Sequence, residues 1–422
     1  MFYNKDMDAL QKLKLFSEEM DLEPAEEVGV GSGKKRIPLQ MARQPSPPQN
    51  GGGGENGSDD AFPCGIPKRR NNKIEAPGVF HAKMPGGKTI PLLKTLLTSA
   101  CERNCYYCPF RAGRNYRRAT FKPEEMANTF MDMHRADMVE GLFLSSGIIK
   151  GGASTQDKIL DTADILRNEL GFGGYVHLKI MPGAERDQVE RAMQLANRLS
   201  VNLEAPNTRR LQRLAPMKQF FEELLRPLQW VEEIRREQSP HLGWNGRWPS
   251  TVTQFVVGAV GESDLELLTT AEYLYKQLRL SRTYFSAFRP IVDTPLEEHA
   301  PADPRREHRL YQASFLLRDY EFEMEEMPFN LDGNLPLDVD PKLGWAQKNL
   351  REDPVEVNRA DRESLLRVPG IGPKGAAAIL TARRRGRLRE LHHLRQIGVV
   401  TSRLAPFVLL DGHRPPQQLR LL

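Results

Sequence analysis

The 422-residue sequence predicts an α/β protein with a parallel sheet, followed by a small all-α domain. Between about residues 75 and 335, six short apolar runs alternate with longer amphipathic segments. Strands separated by helices of this length indicate a parallel sheet. Helical patterns such as DKILDTADILRNEL and ERDQVERAMQLANRL lie between the runs. The six predicted strands are 90–99, 141–148, 175–183, 199–205, 253–261 and 283–291.

Shifts in composition predict four parts along the chain. Residues 1–60 are predicted to hold a short N-terminal helix and a flexible linker, because PSPPQNGGGGENGSDD cannot bury a core. Residues 61–335 carry the predicted strands, and the Pro-, Asp- and Gly-rich segment 336–357 is predicted to be a second linker. Residues 358–422 form the predicted helical domain.

Positive charge is concentrated at the end of the chain. The whole sequence has a net charge of +5, but residues 355–422 contain 13 Lys and Arg against 5 Asp and Glu. This segment therefore carries +8, which leaves about −3 for the rest of the chain. A basic tail on a nearly neutral body predicts a polyanionic partner.

The apolar stretches, the N-terminal residues and the cysteines together predict where in the cell the protein is found. No apolar stretch is long enough to span a membrane, and the first residues lack a secretory signal. Three of the four cysteines are clustered, which argues against a disulfide framework. Because a cysteine-bound metal centre needs a reducing compartment, we expect the protein in the cytoplasm. The fourth cysteine, Cys64, has no predicted role.

The clustered cysteines are Cys101, Cys105 and Cys108, in the run TSACERNCYYCPF with the spacing C-x3-C-x2-C. Three thiolates cannot complete a tetrahedral site, but they can hold a [4Fe-4S] cluster in which one iron keeps an open position. The alternative is a structural zinc site whose fourth ligand lies elsewhere, for example His81 or His134. The spacing favours the cluster, because structural zinc more often uses two separated cysteine pairs.

This run resembles the cluster motif of the radical S-adenosylmethionine (SAM) superfamily, in which an aromatic residue, here Tyr107, precedes the third cysteine. The resemblance implies a partial (β/α)6 TIM-like barrel and two cofactors, a [4Fe-4S] cluster and SAM. It also implies the chemistry: reductive cleavage of SAM to a 5′-deoxyadenosyl radical that removes a hydrogen atom from a substrate. An electron donor, which the sequence does not identify, is needed as a partner.

The same resemblance suggests where SAM binds. Ser145, Ser146 and Gly147 end the second predicted strand, where the family has a small Gly-containing motif; a tight turn would require the same residue types. Glu204 lies at the end of the fourth predicted strand, where it is expected either to contact SAM or to form an internal salt bridge, for instance with Lys179.

Two further features complete the predicted barrel site. Gly258, in the run VVGAVGE of the fifth strand, resembles an element that supports the adenine pocket of the family. After the cysteines, the loop PFRAGRNYRRATFK interleaves basic and aromatic residues. This loop suits either a nucleic-acid backbone or solvent.

The C-terminal segment NRADRESLLRVPGIGPKGAAAILTARRR resembles a helix-hairpin-helix, a DNA-binding motif whose turn here is VPGIGPK. Two glycines at a helix N-terminus expose backbone N–H groups that bind phosphate. The alternative is a hairpin that serves structure or protein interaction only. The expected DNA contacts are Gly370, Gly372, Lys374, Arg383 and Arg384.

The order of these motifs over residues 61–422 resembles that of DNA modification/repair radical SAM proteins with a C-terminal helix-hairpin-helix. The resemblance implies nucleic acid, with DNA expected, as the partner, and no membrane. Two alternatives stay open. One is a radical SAM enzyme that acts on RNA or protein, and the other is a non-enzymatic nucleic-acid-binding protein with a structural metal site. The sequence does not identify the hydrogen that would be removed.

Overall fold

The computed structural model describes residues 7–19, 77–83 and 89–416. The predicted linker within residues 1–60 and Cys64 lie outside the described residues. The strands are β1 Val79–Lys83, β2 Thr89–Leu96, β3 Gly141–Ser145, β4 Tyr175–Lys179, β5 Arg198–Ser200, β6 Ser250–Val257, β7 Arg282–Ala287, β8 Val355–Glu356 and β9 Val408–Leu409. The α-helices are α1 Ala9–Glu19, α2 Pro123–Arg135, α3 Gly152–Asp164, α4 Arg186–Leu195, α5 Thr208–Leu214, α6 Arg226–Glu237, α7 Asp264–Leu278, α8 Pro304–Asp319, α9 Pro341–Asn349, α10 Arg362–Arg367, α11 Pro373–Ala382 and α12 Leu391–Gln396.

Strands β1 to β7 form a seven-stranded sheet in sequence order. β1 is antiparallel to β2, whereas the pairs β2–β3, β3–β4, β4–β5 and β6–β7 are parallel. Each of the six predicted apolar runs overlaps one of the strands β2 to β7. The predicted α/β class, a partial TIM-like barrel with an additional helical part, is therefore confirmed.

The chain divides into two compact units, and the first contains Met1–Arg103, Pro109–Ser200 and Ile234–Pro249. Strands β1 to β5 lie in this unit. Helix α1, the predicted N-terminal helix, packs within it because Leu13 and Phe16 share one face and are both buried. The Phe16 ring meets the Phe121 ring edge-on, with centroids 5.9 Å apart.

The second unit contains Asn104–Cys108, Val201–Glu233 and Ser250–Leu422. Its loop from β6 to α7 ends at Ser263, whose hydroxyl accepts the N–H of Glu266 and so caps α7. The C-terminal helices share a core that includes Leu365, Val368 and Ile379. β8 and β9 pair in parallel beside these helices, which the predicted all-α class did not include.

Residues 336–357, predicted to be a linker, contain α9 and β8. Ala346 and Leu350 from this segment belong to the C-terminal core. The predicted domain boundaries themselves stay predictions. None of the helices in the described ranges is long and apolar enough to cross a membrane.

Arg367, on α10, fixes the C-terminal helices to the segment that follows α8 in the same unit. Its guanidinium binds both carboxylate oxygens of Glu326 at 2.7 Å and donates to the backbone oxygens of Tyr320 and Glu321 at 3.2 and 2.9 Å. It also lies 4.2 Å from the centre of the Phe322 ring. Because Arg367 is buried, this set of charged hydrogen bonds holds the segment in one arrangement.

Candidate active site and its cofactor ligands

In the first unit, backbone N–H groups surround the thiol of Cys101. The N–H groups of Arg103 and Ile148 each point at Cys101 Sγ at 3.4 Å. The backbone of Glu102 in turn donates to the carbonyl of Ile148 at 2.8 Å. Donors of this kind stabilise a thiolate, which is the form that binds iron.

The predicted Ser-Ser-Gly motif lies directly against this loop. Its Gly147 packs so closely that a Cβ atom would stand 2.1 Å from the carbonyl oxygen of Ala100, the residue before Cys101. Ser145 and Ser146 are buried, and the Ser146 hydroxyl donates to the Gly147 carbonyl at 2.7 Å. Glycine is therefore required at 147 by the close approach of two backbones, and a SAM-binding role of the motif stays a prediction.

The basic loop after the cysteines is organised by Arg118. This side chain is buried, and its guanidinium donates to the carbonyls of Ser99 at 2.8 Å, Phe110 at 2.7 Å, Arg111 at 2.7 Å and Arg114 at 3.3 Å. It also lies 4.2 Å from the centre of the Tyr116 ring. Arg118 therefore serves loop structure, unlike its exposed neighbour Arg117.

In the second unit, Cys105 is buried, and Cys108 and Tyr107 are half-buried. The N–H of Cys108 donates to the carbonyl of Cys105 at 3.3 Å, which makes a tight turn. The N–H of Tyr106 donates to the carbonyl of Leu214 at 2.8 Å. This hydrogen bond attaches the cysteine turn to the end of α5.

Glu204 lies buried in the same unit and makes an ion pair. Its backbone N–H donates to the carbonyl of Gln254, and its carbonyl accepts the N–H of Val256, both on β6. The φ angle of Glu204 is 65°, in the left-handed region. One carboxylate oxygen accepts the ammonium of Lys218 at 3.0 Å. The other, Oε2, is buried and has no hydrogen bond within 3.5 Å among the described residues, although the nearby Tyr107 hydroxyl interacts with the Glu204 carboxylate. The expected salt bridge exists, but its partner is Lys218 rather than Lys179.

Charges around the cysteine turn act on two side chains. Desolvation and the Glu204 carboxylate raise the pKa of the Tyr107 hydroxyl well above its usual value. Desolvation lowers the pKa of Lys218, but the negative charges of Cys105 and Glu204 outweigh it and raise that pKa overall. Lys218 therefore stays an ammonium and Tyr107 a neutral hydroxyl at neutral pH.

Gly258 begins the loop after β6, and internal hydrogen bonds hold this loop in place. The carboxylate of Glu262 accepts the N–H groups of Gly258 and Val260. Arg306 in turn donates to the Glu262 carbonyl at 2.6 Å and to Asp264 at 2.7 Å. The side chains of Glu262 and Asp264 are fully buried, so this network fixes the position of Gly258. Its role in an adenine pocket stays a prediction.

The predicted DNA contacts lie around the turn between α10 and α11. Gly370 has a φ of 90°, which favours glycine, and Gly372 precedes α11. Lys374 and Arg384 are exposed, whereas the Arg383 guanidinium donates to the carbonyls of Val357 and Ala360 at 3.1 and 2.6 Å. Arg383 thus has internal partners, and DNA contact by these five residues stays a prediction.

No three His, Cys, Asp or Glu side chains in the described ranges are grouped as a single metal ion would need. The same part of the chain contains no disulfide among Cys101, Cys105 and Cys108. The assignment of a cluster to these cysteines rests on their spacing and on the resemblance of the motif to that of radical SAM proteins. In the first unit, the two N–H donors at Cys101 fit a thiolate that binds iron. In the second unit, the buried Oε2 of Glu204 fits a small polar ligand.

Comparison with known proteins supports this resemblance. The model of the Radical SAM superfamily matches residues 95–274, a segment that contains Cys101, Cys105 and Cys108. This segment is therefore that of radical SAM enzymes, which use a [4Fe-4S] cluster and S-adenosylmethionine.

Solved structures with low sequence identity resemble the chain. The FeFe-hydrogenase maturase HydG from Carboxydothermus hydrogenoformans has 15% identity and a TM-score of 0.42 over 54% of this chain and 51% of its own. The chain thus spans about half the length of that maturase. Methylornithine synthase (PylB) has 13% identity and a TM-score of 0.43, over 61% and 68% of the two chains. A radical SAM methyltransferase from Sphaerobacter thermophilus has 14% identity and a TM-score of 0.42, over 59% and 74%. A search of curated proteins found no match.

Sequence reasoning missed two lysine side chains that lie next to the predicted site residues. Lys218 is the ion-pair partner of Glu204, and a signal for it existed, since a lone lysine ends the apolar run LAPM. Lys342 lies beside the α10–α11 turn, where its ammonium donates to the carbonyl of Ile371 at 2.5 Å. No pattern in the sequence distinguishes Lys342 from an ordinary surface lysine at the start of a helix.

Proposed function

We propose that this radical SAM enzyme acts on nucleic acid, with DNA as the expected substrate, and that the reaction belongs to modification or repair. The observation that carries the proposal concerns the second compact unit. It contains the α10–α11 hairpin and also three of the predicted cofactor ligands, Cys105, Cys108 and Glu204. The +8 charge of residues 355–422 supports a polyanionic partner.

Within this proposal, Cys101, Cys105 and Cys108 hold the cluster. When bound, the cluster and SAM supply a 5′-deoxyadenosyl radical for hydrogen-atom abstraction. Glu204 offers its buried Oε2, which lies near the Tyr107 hydroxyl, to a donor group of SAM, since a buried carboxylate oxygen can accept more than one hydrogen bond. Lys218 orients the Glu204 carboxylate through its 3.0 Å contact.

The hairpin binds the phosphate backbone in this proposal. Gly370 and Gly372 form a turn of the kind found in helix-hairpin-helix motifs, and Lys374 stands exposed at the second position of α11. Such contacts position a protein on nucleic acid without reading its sequence. The motif therefore predicts binding that depends on backbone and shape, and not on a defined base sequence.

A salt titration of binding tests the proposal. Fluorescence anisotropy of a labelled DNA duplex would compare wild type, the double variant Lys374→Gln/Arg384→Gln and a control, Lys348→Gln, an exposed lysine on α9. Loss of two phosphate contacts should weaken binding and reduce the slope of log K against log salt by roughly 2. Unchanged affinity in the double variant, or no binding by wild type, would contradict the proposal. Tighter binding of an RNA duplex would change the substrate class to RNA.

A further inference from the structure

A cavity of about 780 Å³ opens beside the α10–α11 turn, in the second unit. Its walls come from α8, from the start of α9 and from the first residues of α11. Phe315, Tyr320, Lys342 and Lys374 are among the residues that line it. The carboxylates of Asp319 and Asp340 also line it, and they are paired with Arg318 and Arg403. The volume lies in the range of about 300–1,000 Å³ that holds small organic ligands and exceeds the needs of a lone phosphate.

Lys342 places a poorly solvated positive charge in this cavity. Its ammonium donates to the carbonyl of Ile371 and lies 4.5 Å from the centre of the Tyr320 ring. Desolvation lowers the pKa of Lys342 to about 7. Among the described residues, no carboxylate lies within salt-bridge distance of this ammonium.

The charged neighbours of Lys342 do not neutralise it. Asp340 favours its charged form, but that carboxylate is hydrogen-bonded to Arg403. Arg403 and Arg367 both disfavour the charged form of Lys342. A half-buried cation without a counter-charge is unfavourable, so an anionic group in the cavity would be stabilised there.

Two other features favour the same kind of ligand. Lys374 is exposed, and the ten-residue helix α11 begins at Pro373 on the cavity wall, so its dipole adds positive potential. Phe315 and Tyr320 are half-buried aromatic side chains in the cavity wall, and the Arg318 guanidinium lies 4.8 Å from the centre of the Phe315 ring. Cations next to aromatic rings are the combination with which proteins hold unpaired nucleotides.

We propose that this cavity binds one unpaired nucleotide of the nucleic-acid substrate, with its phosphate at Lys342 and Lys374 and its base against Phe315 and Tyr320. The inference rests on the proposed function and deepens it, because it names the substrate as nucleic acid with a base outside the stack. A fully paired duplex offers no such base, so binding should discriminate between the two forms of DNA.

The test uses two DNA duplexes that differ only in one extra, unpaired 2-aminopurine. Anisotropy of an end label gives affinity, and 2-aminopurine emission reports stacking of the unpaired base. The proteins are the full-length wild type, Lys342→Gln, Phe315→Leu and the control Lys348→Gln, which makes the same charge change at an exposed position on the same helix. Circular dichroism establishes that each variant is folded.

The wild type should bind the bulged duplex about tenfold more tightly than the paired one, as stacking of one base allows. It should also alter the 2-aminopurine emission. Lys342→Gln and Phe315→Leu should lose the preference, whereas Lys348→Gln should keep it. Adenosine monophosphate at millimolar concentration should compete weakly; displacement at micromolar concentration would show a free-nucleotide site and overturn the inference.

The outcomes separate the two proposals. Equal binding of both duplexes, or an unchanged preference in Lys342→Gln, would overturn the cavity assignment while binding to the hairpin survives. Absence of binding to either duplex by the wild type would overturn both.

Discussion

Substituting Arg118 removes the guanidinium that organises the loop after the cysteines. In the wild type it donates to the carbonyls of Ser99, Phe110, Arg111 and Arg114. Arg118→Met has similar length and no donors, so these carbonyls lose their charged partner. Arg118→Lys keeps the charge but has no planar fork that can reach four oxygens.

The structure sets the size of the effect. Three of the four hydrogen bonds are 2.7–2.8 Å long, and a bond with a charged donor contributes about 1.5–3 kcal/mol. Because some of the carbonyls can turn to water, we expect Arg118→Met to lose roughly 3–5 kcal/mol of local stability, at the upper end for one substitution. Arg118→Lys should lose roughly half of that.

Hydrogen exchange measured by mass spectrometry on the anaerobic protein tests this prediction. Local opening that is easier by 3–5 kcal/mol speeds exchange of amides in residues 99–118 by roughly a hundredfold to a few thousandfold. Arg117→Met, at the exposed neighbour, is the matched control and should exchange like wild type. Equal exchange in Arg118→Met and Arg117→Met would refute the assigned role of Arg118.

Three further predictions concern the two units. Gly147→Ala places a methyl group against the backbone before Cys101, so iron bound after reconstitution should fall severalfold; Gly173→Ala, with open space around its Cβ position, should bind iron like wild type. Glu204→Gln and Lys218→Met should each destabilise the protein by about 3–5 kcal/mol, because each leaves one buried charge unpaired. The double variant should recover part of that loss in thermal unfolding, and additive losses would show no coupling. Because the pKa of Lys342 is lowered to about 7, its ammonium is lost as pH rises through 7, so affinity for the bulged duplex should fall between pH 6 and 8. The Lys342→Arg variant should lack this fall, and the same pH dependence in both proteins would argue against Lys342 as the phosphate contact.

The sequence predicted the strands well because each is a short apolar run between helical patterns. The fourth predicted strand shows where prediction from the apolar pattern fails. The apolar run continues to Ala205, but β5 ends at Ser200, and Glu204 joins β6 through a single bridge with a left-handed backbone. Local pattern does not encode such a change of direction, because the partner strand that imposes it lies about fifty residues away.

The sequence also did not predict which groups the charged side chains bind in the folded chain. The alternation of charge and aromatic residues in the loop after the cysteines suits a nucleic-acid surface, yet Arg118 turns inward to backbone carbonyls. An arginine bound to carbonyls has no complementary charge in the sequence that would reveal it. The choice of Lys218 over Lys179 as partner of Glu204 likewise depends on tertiary packing. The cysteine spacing, by contrast, is local and was sufficient to predict the family.

The most direct test of the central claim is 5′-deoxyadenosine formation by the anaerobically reconstituted protein with SAM and a reductant, with and without DNA. Wild type should form it, and a bulged duplex should increase the rate, whereas Cys105→Ala should form none. If DNA does not change the rate of 5′-deoxyadenosine formation, the result would support the enzyme class and contradict the nucleic-acid substrate. An intact cluster without any 5′-deoxyadenosine, with DNA present, would contradict the account as a whole.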